Sequence, residues 1–229
     1  MGMYMVWLKD GDYKMLEKFT EGVDELLQKL GDNVSPQLYN KLRGTIPEIY
    51  AVITLHKKFE AWKISWKGGH TPRIDITLQA PGNNDYEIQV KKITNIDTRG
   101  RGENKVLLSY YWQVRERKDI SCPWIFIYND EKNKKPTFFC VPEADMKRLM
   151  DIATEERQFL EEKWRPYKGK EKGNPMLRIN FYSDVAKTYF NSKEDLEWSE
   201  LYKKELGHEQ AFPLASAYID NWNTLFVRV

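Results

Sequence analysis

The stretch that decides the fold is RIDITLQAPGNNDYEIQVK, residues 73–91. It holds two runs in which polar and apolar residues alternate, Arg73 to Leu78 and Tyr86 to Lys91, on either side of Pro81-Gly82-Asn83-Asn84-Asp85. Alternation at period two marks a strand with one buried face, and the intervening residues are dense in turn formers. The two runs predict an antiparallel hairpin or meander. Residues i, i+2 and i+4 of a strand share a face. Arg73, Asp75 and Thr77 then point one way, while Ile74, Ile76 and Leu78 point into a core. On the second run Glu87, Gln89 and Lys91 share a face, opposite Tyr86, Ile88 and Val90. If both apolar rows pack on one core, an acid, an amide and a lysine converge on one side of the sheet.

Upstream, Lys63 to Trp66 reads as a strand and Gly68-Gly69 as a turn. From Lys14 to Leu30, apolar residues recur at helical spacing (Leu16, Phe19, Val23, Leu26, Leu27, Leu30) before Gly31-Asp32-Asn33 stops the pattern. Ser35-Pro36 suits a helix cap and first turn, and Thr45-Ile46-Pro47-Glu48 looks like a restart that runs to about Phe59. Downstream, Val106 to Arg117 reads as a helix, and Pro123 to Tyr128 as a strand buried on both faces. Thr137 to Val141 reads as a further strand, and Glu143 to Phe159 as an amphipathic helix. The order helix, three strands, helix, strand, strand, helix predicts an α/β sandwich. After Lys163 comes the basic loop KWRPYKGKEKGNP, and Met176 to Val229 holds short mixed elements. The expected organisation is a helical N-terminal segment (1–44), an α/β core (45–162) and a C-terminal extension packed on it (163–229).

Composition is globular: hydrophobic residues make up 41% and charged residues 31% of 229. No run of about 18 apolar residues exists, so no membrane span is expected. The N-terminus turns charged too soon for a signal peptide. Cys122 and Cys140 lack zinc-site spacing and lie in apolar runs, which points to buried thiols in a reducing, cytoplasmic setting. A net charge of +2 excludes strong whole-molecule attraction to nucleic acid, so such a partner would be engaged through local basic patches.

An acid, a second oxygen ligand and a lysine are what phosphodiester hydrolysis requires. A hard cation such as Mg²⁺ takes oxygen ligands and keeps several waters. It polarises the phosphate and acidifies the attacking water, while a nearby lysine orients that water and offsets developing charge. With Glu48 in GTIPEIYAV, Asp75 in RIDITL and Gln89-Val90-Lys91 in YEIQVKK, the chain resembles the PD-(D/E)xK superfamily of restriction-endonuclease-like nucleases over about Thr45 to Ala153. That group includes type II restriction enzymes, archaeal Holliday-junction resolvases and many repair nucleases.

The resemblance implies a mixed central sheet flanked by helices, a Mg²⁺- or Mn²⁺-dependent deoxyribonuclease, DNA as partner, and a homodimer. It implies Asp75 as principal metal ligand, with Gln89 and the Val90 carbonyl contributing. Lys91 would activate the water, and Glu48 would complete the shell directly or through water. Gln89 departs from the usual acid and makes this a QxK variant, in which Glu87 on the same face offers a second charge. Lys92 faces the other way and is left out of the site. Arg99, Arg101 and Lys105 follow as a flexible basic loop suited to phosphate contact, as does the loop from Arg165 to Lys172. His56, His70 and His208 are scattered, and Glu194 to Leu206 reads as an exposed helix. Two other readings stand beside the nuclease: an inactive nucleic-acid-binding or regulatory module on the same fold, and a small α/β interaction protein in which the motif is chance.

Overall fold

The computed structural model describes residues 7–30, 36–67, 74–82, 84–93, 95–99, 102–130, 135–169, 176–183 and 214–226. The chain forms two compact units, residues 1–92 with 122–138, and residues 93–121 with 139–229. The class is mixed α/β. A five-stranded mixed sheet has the order β1 (Lys63–Trp66), β2 (Ile76–Gln79), β3 (Asp85–Lys92), β6 (Trp124–Asp130), β7 (Lys135–Val141), and a three-stranded antiparallel sheet has the order β4 (Asn95–Arg99), β5 (Val106–Val114), β8 (Leu177–Tyr182). No helix among the described residues is long and apolar enough to cross a membrane.

The first unit opens with α1 (Asp10–Leu30) and α2 (Pro36–Lys58). The buried stripe of α1 runs through Tyr13, Thr20 and Val23, with Leu16 half-buried, and leaves Phe19 47% exposed. Tyr13 stacks on His56 of α2 with ring centroids 3.5 Å apart. Helix α2 passes straight through the expected restart at Thr45, with Pro47 inside it. An interior proline removes one helical hydrogen bond and costs about 3 kcal/mol. Burial of Ile46, Ile49, Ala51, Val52, Ile53 and Leu55 around it outweighs that cost. The capping signal is real but local, and tertiary packing overrides it.

Strands β1 (Lys63–Trp66), β2 (Ile76–Gln79) and β3 (Asp85–Lys92) form the expected antiparallel meander. β6 (Trp124–Asp130) joins β3 in parallel, Gln89 opposite Trp124 and Lys91 opposite Phe126. Across the meander, Ile64, Leu78 and Tyr86 form one rung and Trp66, Ile76 and Ile88 the next. Helix α2 covers this sheet, packing on β1, β3 and β6. The other row contains Ser65, Thr77, Glu87, Gln89 and Lys91. Ser65, Thr77 and Gln89 are nonetheless buried, so this face is not an open polar surface. β7 (Lys135–Val141) completes the sheet order, and the boundary between the units falls within it, after Phe138.

The second unit corrects the expected helix at Val106 to Arg117. That segment is β5 (Val106–Val114), paired on both sides with β4 (Asn95–Arg99) and β8 (Leu177–Tyr182). VLLSYYWQV is rich in aromatic and β-branched residues, which favour a pleated surface. Its even positions Leu108, Trp112 and Val114 are buried, and Trp112 meets Phe139 and Phe181 edge-on at 5.0 and 5.3 Å. Two strand partners supply what a helix would have supplied internally.

Helix α3 (Glu143–Phe159) has the expected bounds, with Glu143 and Asp145 at its N-terminus, where the helix dipole favours acids. It continues as a π-helical turn, Leu160–Trp164. Residues 214–226 form short 3-10 turns that pair Ile219 with Phe139 and give the Tyr218 carbonyl to the Cys140 N–H at 2.9 Å. The helix expected from Glu194 to Leu206 lies outside the described residues.

Candidate active site

Asp75 stands one residue before β2, where the ladder runs out. Its N–H donates to the Ile88 carbonyl at 3.0 Å, and its carbonyl accepts the Lys67 N–H at 2.9 Å. The amide next in line on β3 is Val90, and the Asp75 side chain takes it: Val90 N–H donates to Oδ2 at 2.7 Å. The carboxylate thus stands in for a backbone acceptor that a longer β2 would have provided. A buried N–H left unmade would cost about 1–3 kcal/mol. Asp75 is only 5% exposed, which sets it apart from an ordinary surface strand residue.

Gln89, 2% exposed, donates through Nε2 to the same Oδ2, and its Nε2 also lies 3.5 Å from the Val90 carbonyl oxygen. Its backbone N–H is committed to the β6 side through the Pro123 carbonyl at 3.1 Å. The backbone of Gln89 is therefore strand-bound on the β6 side. Lys91, two residues on, is half-buried, with Nζ 5.9 Å from the Trp124 ring centroid.

Glu48 comes from mid-helix in α2, not from the helix start expected at Thr45. Its Oε2 accepts the Trp66 indole N–H at 2.9 Å. Burial pushes the Glu48 carboxyl up from its ordinary value. The Trp66 hydrogen bond pulls it down, the Asp75 charge raises it and the Lys91 charge lowers it. Glu48, Asp75 and Lys91 therefore lie within electrostatic reach of one another. Trp66 is the partner that sequence reading misses. Its period-two position puts it on the α2-facing row, but nothing local identifies its indole as the donor that aims Glu48.

The remaining expected residues divide cleanly. Glu87 is exposed and sits opposite Thr77 on the ladder, one step further from the strand end that holds Asp75. Lys92 is opposite Ile127, on the other row. Arg99 ends β4 and Lys105 is exposed beyond a 3-10 turn at Gly102–Asn104, both in the second unit. Arg101 lies outside the described residues, as do His70, His208 and the part of the basic loop after Gly169. Sequence reading makes the Arg99–Lys105 segment a loop throughout. Arg99 instead belongs to a strand, because pairing with Val106 extends β4 to it.

Among the described residues, no group of three or more His, Cys, Asp or Glu stands close enough to cage a metal. The oxygens that could hold one are the carboxylates of Asp75 and Glu48, the Val90 carbonyl and, were its amide turned, Oε1 of Gln89. Oxygen-only donors with few charges fit a hard cation that keeps several waters, and do not fit zinc. Compared with protein-family models, curated proteins and solved structures, the chain matches none of them.

Proposed function

We propose that this chain is a metal-dependent endonuclease that hydrolyses DNA phosphodiester bonds at the Asp75–Gln89–Lys91 site. The observation that carries the reading is convergence. The Asp75 carboxylate and the Gln89 amide meet where β2 ends beside β3, and Glu48 lies within electrostatic reach of Asp75 and Lys91, in the order helix acid, strand acid, QxK that the nuclease resemblance implies. Bound Mg²⁺ or Mn²⁺ would polarise the scissile phosphate and make its coordinated water a better nucleophile.

The protein's own part is positional. Asp75, pinned to the Val90 N–H, supplies fixed negative charge. Glu48, aimed by Trp66, adds a second carboxylate from the helix side. Lys91 holds the attacking water and offsets charge that develops on the phosphate. Gln89 lowers the charge of the set by one relative to an acid at that position, so a cation would be held more loosely.

One observation favours the inactive-module reading. Oδ2 of Asp75 already accepts two donors within the protein, the Val90 N–H and the Gln89 amide. The two readings separate when plasmid, linear duplex, single strand, branched junction and RNA are incubated with the protein and Mg²⁺ or Mn²⁺. Metal-dependent cutting of DNA is the expected result. Binding at low salt without cutting, under either metal, supports the module instead.

A further inference from the structure

The Gln89 amide nitrogen sits between two oxygens, Oδ2 of Asp75 and the carbonyl of Val90, which it approaches to 3.5 Å. Those two oxygens and the amide itself are three of the four groups named above for a divalent cation. A primary amide carries two N–H donors on one side and an acceptor oxygen on the other, in nearly the same shape. We infer that Gln89 is a built-in stand-in for the cation: its NH₂ bridges Asp75 and Val90, and a half-turn of the amide replaces it with the metal while presenting Oε1 as a ligand. The inference rests on the metal site of the proposed function and concerns how that site is entered.

The geometry makes the exchange local. Gln89 is held on the β6 side through its backbone and is 2% exposed, so its amide lies inside the protein. Rotation about the terminal bond swaps nitrogen for oxygen in nearly the same shape. The same geometry gives a reason for glutamine here. An acid at position 89 would set a second buried carboxylate against Asp75 with no donor between them, and like charges at such range disfavour each other. Glutamine keeps the strand ends together without metal, at the expense of charge for binding it.

The test uses the full-length chain in chelator and then in MgCl₂, following the Gln89 side-chain amide by NMR. Calorimetric titration and thermal melting are run on wild type and Gln89→Glu. In chelator, the Gln89 amide protons are expected to exchange slowly with solvent. Adding Mg²⁺ should shift them and speed their exchange. Gln89→Glu should melt lower than wild type in chelator and bind Mg²⁺ on the order of tenfold more tightly, because ligand charge sets affinity. The inference is overturned if Mg²⁺ binds wild type while the Gln89 amide signals and exchange stay unchanged. It is equally overturned if Gln89→Glu melts as wild type does and binds Mg²⁺ no better. If neither Mg²⁺ nor Mn²⁺ binds either protein, the metal site itself fails, and the proposed function with it.

Discussion

Each unit buries an acid, and the two acids are treated differently. Asp75 in the first unit meets two donors, the Val90 N–H and the Gln89 amide, at the open end of a strand. Glu156 in the second unit lies on the buried stripe of α3 among Met146, Leu149, Met150, Ala153 and Phe159. Burial pushes its carboxyl up to about 7, and the Arg178 guanidinium offsets this only in part. Arg178 itself lies over the Tyr111 ring at 3.7 Å. The contrast separates an acid placed to keep its oxygens directed from one that the fold tolerates by letting it take up a proton.

The largest effects should fall on the first acid. Asp75→Asn keeps an oxygen for the Val90 N–H but removes the charge that holds a cation. The variant is expected to stay folded, with cleavage reduced to background. Lys91→Ala should leave melting nearly unchanged and slow cleavage by about 10²–10³, the range for loss of one charge-stabilising donor. Asp75→Ala should lose activity and also melt lower, because the Val90 N–H then goes unmade, a cost of about 1–3 kcal/mol. If Asp75→Ala and Asp75→Asn melt alike, the strand-end role assigned to Oδ2 is wrong.

The second acid should show itself through pH. Its folded value, about 7, is raised above the ordinary 4.5, so the folded state binds the proton more tightly than the unfolded chain. Stability from this group is therefore present below pH 4.5 and is lost as pH rises through about 7, a span worth about 3 kcal/mol. Wild-type melting temperature should fall across that window, and Glu156→Gln should flatten the fall. A pH profile unchanged by the substitution would contradict the account of Glu156.

The smallest expected effect is at Trp66→Phe. It keeps the ring against α2 and removes only the indole donor to Glu48, so melting should change by about 1 kcal/mol. Cleavage should fall more than stability does, since Glu48 loses its aim. Equal loss of both would make Trp66 a packing residue alone.

What the sequence discloses and what it hides follow from where the controlling forces act. The β2–β3 hairpin is readable because alternation and turn chemistry are local. The bounds of α3 are readable because its acidic first turn and apolar period agree. The site residues follow from period-two geometry, which puts Asp75, Gln89 and Lys91 on one row. β5 reads wrongly as a helix because its pairing with β4 and β8 is non-local, and Leu107, Leu108, Trp112 and Gln113 suit a helix about as well as a strand. The continuous α2 is hidden because Pro47 and Thr45 are genuine start signals that only the buried isoleucines around them overrule. Burial of Thr77 and Gln89 on the polar row is invisible for the same reason: the covering of that face is set by the rest of the chain.

The most direct test of the central claim compares wild type with Asp75→Asn and Lys91→Ala, each first checked for native melting. All three are incubated with supercoiled plasmid and linear duplex DNA in Mg²⁺, Mn²⁺ or chelator. The account predicts cutting by wild type in metal only, background from Asp75→Asn, and a large loss in Lys91→Ala. Cutting in chelator, or folded variants that cut as wild type does, would contradict it and remove Asp75 and Lys91 from any catalytic role.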